Sequence, residues 1–152
     1  MQFTTFYIQP LKPYTPNIIL RKWQIFCRLH SREHILEGIA SGNMGVLVVN
    51  GAVVGTGCYD KNHITGLYVL PSYQGQGCGS YIMNCLEAEI LKKHDTAVLD
   101  ASLPAVCLYE HRGYKTIGHG VYELENDVRL VYEIMEKKLN IKQIKLYLVT
   151  TG

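Results

Sequence analysis

The stretch from Leu67 to Leu91, LYVLPSYQGQGCGSYIMNCLEAEIL, constrains the fold more than any other part of the 152-residue chain. An apolar run stops at a proline, Gly75, Gly77 and Gly79 alternate with other residues, and a segment with helical apolar spacing follows. Glycine removes the Cβ atoms that would keep a ligand away from backbone N–H groups, and the helix adds unpaired N–H groups and a positive dipole end. The stretch therefore predicts a strand–loop–helix unit that binds an anion, most commonly a phosphate.

The whole chain, residues 1–152, is expected to form one globular domain. It is 47% hydrophobic and 18% charged, which favours a packed core over disorder. A net charge of +2 gives little attraction to nucleic acid or to an anionic membrane, and the apolar runs are too short to span a bilayer. Five cysteines without a C-x-x-C pair predict free thiols in a reducing compartment. We therefore expect a cytoplasmic protein that binds neither nucleic acid nor membrane.

Apolar periodicity and turn residues predict the order helix, helix, three strands, helix, strand, helix and two strands. Residues 1–16 are predicted to form an edge strand or a loose arm, and residues 17–40 two amphipathic helices. Asn50 and Gly51 lie between two β-branched runs and predict a hairpin, and Pro104 predicts the start of the last helix. This order is typical of an α/β (α+β) domain with a mixed sheet.

The sequence does not match two well-known phosphate-binding loops. A P-loop requires a lysine after its last glycine, but Ser80 follows Gly79 directly. A dinucleotide-binding loop requires the spacing G-x-G-x-x-G, and here its third glycine is again replaced by Ser80. Asp100 would suit the ribose of such a cofactor, but too few β–α units remain for a doubly wound sheet.

A third pattern, Val69-x-Pro71-x-x-Gln74-x-x-Gly77-x-Gly79, resembles the acetyl-CoA loop of the GNAT superfamily of N-acetyltransferases. A second motif of this family follows downstream, and two motifs in the right order are more specific than either alone. The segment SLPAVCLYEHRGY resembles the family's helix after the fifth strand, with Ala105, Leu108, Tyr109, Gly113 and Tyr114 at the family's offsets and Ser102 in place of a frequent Asn.

This resemblance, which covers roughly residues 44–138, implies a mostly antiparallel central sheet flanked by helices. The strands on either side of the loop would splay apart at the acetyl-CoA site. The pantetheine arm would then bond to Leu67 and Val69 as an added strand does, and an N–H near Val69 would polarise the thioester carbonyl. The pyrophosphate would lie on the loop N–H groups, those of Gln74, Gly75, Gln76, Gly77, Cys78, Gly79 and Ser80. No metal is implied.

Acetyl transfer to an amine requires two proton movements. A lysine-like amine has a pKa of about 10.4 and must lose a proton, and the departing thiolate must gain one. The resemblance implies that the Tyr109 hydroxyl donates to the cofactor sulfur. His63 stands where the histone-acetylating branch has a glutamate base, and an imidazole accepts a proton near neutral pH. An exposed turn histidine is the alternative for His63; Asp60, His119, Glu123 or water are alternative bases.

We therefore expect an N-acetyltransferase that moves an acetyl group from acetyl-CoA to a primary amine of a small molecule or peptide, by direct attack in a ternary complex. A non-catalytic acyl-CoA-binding or sensing domain on the same fold is the alternative, and it would not need Tyr109. By the resemblance, residues 17–40 and 122–127 would contact the acceptor. The tail, residues 140–152, is predicted either as an extra strand that pairs across a homodimer or as a frayed end.

Two other patterns suggest different chemistry. The segment HSREH, His30 to His34, matches an inverted zinc motif, but Ser31 is better placed as the cap of a new helix. Cys107 suggests a covalent acetyl-cysteine, but a thiol in a short apolar helix is expected to be buried and inert. We therefore expect neither a zinc site nor a covalent intermediate.

Overall fold

The computed structural model describes residues 40–123 and 129–141. The N-terminal arm, most of the two predicted N-terminal helices, the HSREH segment, residues 124–128 and most of the C-terminal tail lie outside these ranges. The first two described residues, Ala40 and Ser41, are helical. Gly42 follows in the left-handed conformation, with a φ of 72°, which is common for the residue after a helix.

From there the elements follow the predicted order. The strands are β1 (Met44–Val49), β2 (Ala52–Asp60), β3 (His63–Val69), β4 (Thr96–Ser102), β5 (Lys115–Glu123) and β6 (Arg129–Lys138), and the helices are α1 (Cys78–Leu91) and α2 (Val106–His111). Asn50 and Gly51 both have positive φ, as the predicted hairpin requires. Pro104 lies in a 3₁₀ turn, Leu103–Ala105, so α2 begins two residues after it. No helix in the described ranges is long and apolar enough to cross a membrane.

The six described strands form one sheet in the order β1-β2-β3-β4-β6-β5. All neighbours are antiparallel except β3 and β4, which are parallel. Only two residue pairs join these two strands, His63 with Val98 and Ile64 with Leu99. Beyond them, residues 65–69 of β3 and residues 100–102 of β4 part, and we call this gap the wedge. The predicted fold class is confirmed: a mixed, mostly antiparallel sheet with helices and splayed strands.

A bulge in β3 accounts for the start of the wedge. Gly66 pairs with Cys58 and Ile64 pairs with Tyr59, so Thr65 is an extra residue with no residue paired to it on β2. A bulge bends its strand and increases its local twist. The bend falls directly after Ile64, the last β3 residue that pairs with β4, so β3 departs from β4 at that point.

Helix α1 packs on one face of the sheet through the apolar stripe that the sequence predicts. Ile82, Met83, Leu86 and Ile90 are all buried against strand residues that include Ile64, Leu99 and Met135. The helix approaches β2 closely because Gly57 has no side chain. A Cβ atom there would lie 2.5 Å from Ile82 Cγ2 and 2.9 Å from Leu86 Cδ1.

The buried face of α1 also carries one carboxylate, Glu87, which is 2% exposed. It accepts hydrogen bonds from Arg112 Nε at 2.9 Å, the Tyr114 hydroxyl at 3.0 Å and Lys137 Nζ at 3.0 Å. Arg112 Nη2 also donates to Asn84 Oδ1. These partners lie just after α2 and on β6, so one buried charge joins α1, the end of α2 and the sheet.

Replacing Gly57 with alanine should lower the free energy of unfolding by about 1–3 kcal/mol, because the new methyl group overlaps Ile82 and Leu86. Gly45, the partner of Gly57 on β1, is a matched control, since no atom of the described chain lies within 4 Å of its Cβ position. Denaturant unfolding of Gly57→Ala and Gly45→Ala tests this. Equal stabilities would show that α1 does not approach β2 this closely.

Replacing Glu87 with glutamine should lower the free energy of unfolding by about 3 kcal/mol, because Arg112 and Lys137 would be left as poorly compensated, largely buried cations. The control is Glu89→Gln on the same helix. Glu89 pairs with Lys92 at the surface, so its loss should change stability by no more than about 0.5 kcal/mol. A Glu87→Gln protein as stable as the control would contradict the structural role of Glu87.

Candidate active site

The loop between β3 and α1 is braced by two glutamine side chains. Gln74 Nε2 donates to the carbonyl oxygen of Val69 at 3.0 Å, and Gln76 Nε2 donates to that of Ser72 at 2.8 Å. Gly75 and Gly77 have φ values of 71° and 84°, a conformation that other residues adopt only with strain. The loop therefore has a defined shape, and Gln74 fixes it to the end of β3.

At the end of this loop, α1 begins without a cap. Gly77 is its N-cap residue and offers no side chain, and the first helical hydrogen bond runs from the Tyr81 N–H to the Gly77 carbonyl at 2.9 Å. The N–H groups of Cys78, Gly79 and Ser80 thus have no acceptor within the helix. Together with the positive end of the helix dipole, they form a site suited to an anion.

This site adjoins the open end of the wedge. The Leu70 N–H donates to the Val54 carbonyl on β2 at 2.9 Å. Because hydrogen bonding alternates along an antiparallel strand, the Tyr68 N–H also faces β2, whereas the Leu67 and Val69 N–H groups face the wedge. An extended ligand in the wedge would therefore meet backbone donors on β3.

Tyr109, on α2, and Tyr68, on β3, lie close together near the wedge. Tyr109, on α2, is half-buried and packs against the core, and its ring meets that of Tyr114 edge-on with centroids 5.9 Å apart. Burial raises the pKa of Tyr109, and the Arg112 charge opposes part of this rise. The pKa of Tyr68 is also raised, mainly by burial and further by Cys58 and Tyr109. Both hydroxyls therefore stay protonated at neutral pH and are able to donate.

At the closed end of the wedge, His63 Nε2 lies 3.5 Å from Asp100 Oδ1. The two strands are joined here by a hydrogen bond from the Val98 N–H to the Asn62 carbonyl at 2.8 Å, so His63 starts β3 at a well-fixed point. The His63 side chain is 38% exposed and the Asp100 side chain 31% exposed. The imidazole is therefore accessible to water and paired with a carboxylate.

Of the three other candidate side-chain bases, one lies beside His63 and two lie on β5. Asp60 ends β2 opposite His63. His119 and Glu123 lie on β5, which β4 and β6 separate from β3. His119 contacts Glu133 at 3.0 Å, and Glu123 pairs with Arg129 at 3.5 Å. The structure thus brings neither His119 nor Glu123 to the wedge. Within residues 40–123 and 129–141 no group of three or more metal-binding side chains comes together.

The expectation that Cys107 is buried is wrong, because its side chain is exposed. Helix α2 has six residues and packs against the core through Val106 and Tyr109, which are three positions apart and share a face. Cys107 and Leu108 lie on the remaining surface, where Leu108 is 64% exposed.

Three residues have positions in the structure that the sequence did not predict: Tyr68, Glu87 and Asp100. Tyr68 stands within an apolar strand, where nothing in the sequence distinguishes it from a core tyrosine. Glu87 did carry a signal, since it lies between Leu86 and Ile90 in the apolar stripe of α1. For Asp100 the sequence suggested only a ribose ligand, although a carboxylate that follows the apolar run of β4 is a natural candidate for the edge of a site.

Comparison with known proteins agrees with this geometry. The sequence model of the acetyltransferase (GNAT) domain matches residues 11–138. A GCN5-related N-acetyltransferase from Rhodopseudomonas palustris is similar in fold, with a TM-score of 0.64 and 24% identity over 74% of this chain and 71% of that one. The ribosomal-protein-alanine N-acetyltransferase from Brucella melitensis gives a TM-score of 0.59 and 19% identity over 71% of this chain and 76% of that one.

Naa50 from Arabidopsis thaliana, solved in complex with the bisubstrate analogue CoA-Ac-MVNAL, gives a TM-score of 0.57 and 18% identity, covering 82% of this chain and 95% of that one. These identities are low, so the likeness to solved structures concerns the fold. No functionally curated protein matches the sequence. The family match spans most of the chain, however, and it shows that this protein belongs to the GNAT acetyltransferases, enzymes that depend on acetyl-CoA.

Proposed function

We propose that the protein transfers the acetyl group of acetyl-CoA to a primary amine of a small molecule or peptide, by direct attack in a ternary complex. The wedge is the observation that carries this proposal. β3 and β4, the one parallel pair in the described sheet, separate after two residue pairs, and the anion site of α1 lies at the open end. The pantetheine arm of acetyl-CoA is an extended chain with amide groups, so it suits a gap between strands.

The anion site suits the pyrophosphate of the same molecule. The N–H groups of Cys78, Gly79 and Ser80 lie at the end of α1, and a Cβ atom at Gly79 would lie 3.8 Å from Val69 Cγ2. Loop and wedge are therefore contiguous, as one elongated ligand requires. The bisubstrate analogue bound to the structurally similar Naa50 supports simultaneous binding of cofactor and acceptor.

In the proposed reaction, the amine nitrogen attacks the thioester carbonyl carbon, the N–C bond forms and the C–S bond breaks. The N–H of Val69 faces the wedge and would stabilise the developing oxyanion, a contribution on the order of 3 kcal/mol. Tyr109 would donate its proton to the departing sulfur and regain a proton from solvent before the next turnover. Because burial raises the pKa of Tyr109 above its usual value of about 10, ionisation of this group should not limit turnover at neutral or mildly alkaline pH.

The amine's own proton would pass to His63. His63 and Leu67 are four residues apart on β3, which corresponds to roughly 13 Å along a strand. This separation is too large for direct transfer from an amine held beside Leu67 and Val69. Ordered water would therefore link the amine to the imidazole, which is accessible to solvent.

Replacing Gly77 with glutamate should weaken acetyl-CoA binding by at least about 100-fold, because a carboxylate beside the pyrophosphate costs several kcal/mol. Calorimetric titration with acetyl-CoA measures the effect. Gly42→Glu is the matched control: Gly42 has a similar φ of 72° but lies at the start of the described chain, before β1, so this variant should bind normally. If Gly77→Glu bound acetyl-CoA normally, the pyrophosphate would not lie on this loop.

Replacing Tyr109 with phenylalanine should lower kcat by about 100-fold through loss of the proton donor and leave the Kd for acetyl-CoA unchanged. Tyr81→Phe is the control, since the Tyr81 side chain lies between α1 and β1, away from the wedge. Thiol release with a panel of primary amines gives kcat. Unchanged turnover in Tyr109→Phe would exclude Tyr109 as the donor.

A further inference from the structure

Asp100 is the first residue of β4 inside the wedge. Leu99 is the last β4 residue that pairs with β3, and Asp100 pairs with Ile134 on the other side. Its neighbours Leu99 and Ala101 are buried in the core below α1, and side chains alternate along a strand. The Asp100 carboxylate therefore lies on the opposite face of the sheet, where its side chain is 31% exposed.

The partner of this carboxylate is unusual. Within residues 40–123 and 129–141, neither lysine nor arginine lies within ion-pair distance of Asp100, and its partner is the His63 imidazole at 3.5 Å. The contrast with Glu87 is clear, because Arg112 and Lys137 neutralise that carboxylate permanently. An imidazole becomes a cation only when it gains a proton. The contact of Asp100 with His63 thus strengthens at the moment when His63 accepts a proton.

An aromatic pair lies on the two strands beyond β4, Tyr132 on β6 and Tyr122 on β5. Tyr132 lies on β6, and a Cβ atom at the facing Gly120 would overlap its ring, so glycine is what allows the ring to lie there. The Tyr132 and Tyr122 rings stack with centroids 4.8 Å apart. The pKa of Tyr132 is raised by burial first, then by Tyr122 and by the charge of Asp100. The Tyr132 ring therefore lies over β5, and His63 is the side chain that contacts the Asp100 carboxylate.

We propose that Asp100 is the positioning residue of a His63–Asp100 dyad. The carboxylate accepts a hydrogen bond from Nε2–H of His63, holds the imidazole in that tautomer and leaves Nδ1 to take the proton of the acceptor amine through water. It then stabilises the imidazolium that forms. Nε2–H stays on the imidazole throughout, Asp100 remains ionised, and the proton gained at Nδ1 returns to solvent after turnover. The proposal rests on the proposed role of His63 as base.

A double-mutant cycle of His63→Gln and Asp100→Asn tests whether Asp100 acts through His63. We expect kcat to fall about 100-fold in His63→Gln, about 10-fold in Asp100→Asn and no further in the double variant than in His63→Gln. The acceptor KM should stay within about 2-fold of the unmodified protein in Asp100→Asn. Independent losses that multiply, an effect confined to KM, or full activity of His63→Gln would each overturn the proposal.

The control is Glu133→Gln. Glu133 forms a similar contact with a histidine, His119, but that histidine lies on the edge strand and is 69% exposed, so turnover should not change. Both Asp100→Asn and the double variant should bind acetyl-CoA with the original Kd, which shows that the wedge is intact.

A second measurement needs no acceptor at all. Long-range ¹H–¹⁵N correlation spectra of the full chain report which ring nitrogen of neutral His63 carries the proton. We expect the Nε2–H tautomer in the unmodified protein and a mixture of tautomers in Asp100→Ala. An identical tautomer pattern in both proteins would overturn the proposal. If no amine led to thiol release, the proposed acceptor class would be wrong. The tautomer measurement would then decide alone whether Asp100 positions His63.

Discussion

The rest of the structure depends on the incomplete hydrogen bonding between β3 and β4. Each strand is paired along its outer side, β3 with β2 except at the Thr65 bulge and β4 with β6, so neither is free to move and close the gap. The bulge at Thr65 separates the strands after two pairs and leaves the Leu67 and Val69 N–H groups facing the wedge. Backbone donors in such a gap must be satisfied by something, and an extended ligand with amide groups satisfies them as a strand would.

Helix α1 contributes to the site at its N-terminus and to the core through its buried face. Its N-terminus carries the free N–H groups that suit a pyrophosphate, and its buried face carries Glu87. Through Arg112 and Tyr114, Glu87 fixes the chain at the end of α2, and Tyr114 in turn contacts Tyr109. The position of Tyr109, the proposed proton donor, relative to the loop before α1 is therefore set by one buried charge rather than by the short helix that carries Tyr109.

Short stretches of sequence predicted most of the described strands and helices, because the residues within each stretch determine its backbone conformation or its buried face. Asn50 and Gly51 specify their hairpin by backbone conformation alone, and the apolar stripe of α1 specifies the buried face of that helix. The separation of β3 from β4 was predicted only from the family resemblance. The contacts of His63 with Asp100 and of Glu87 with Lys137 join residues far apart in sequence, which no spacing rule links. Cys107 was misplaced because periodicity is uninformative over a helix of six residues.

The most direct test of this account is amide hydrogen exchange with and without acetyl-CoA, resolved to single residues. If the wedge holds the pantetheine arm, the Leu67 and Val69 amides should exchange more slowly in the complex, together with those of Cys78, Gly79 and Ser80. The Tyr68 and Leu70 amides, which face β2, should change much less. Protection of the α1 N-terminus without any change at Leu67 and Val69 would contradict the central claim, because the cofactor would then lie outside the wedge.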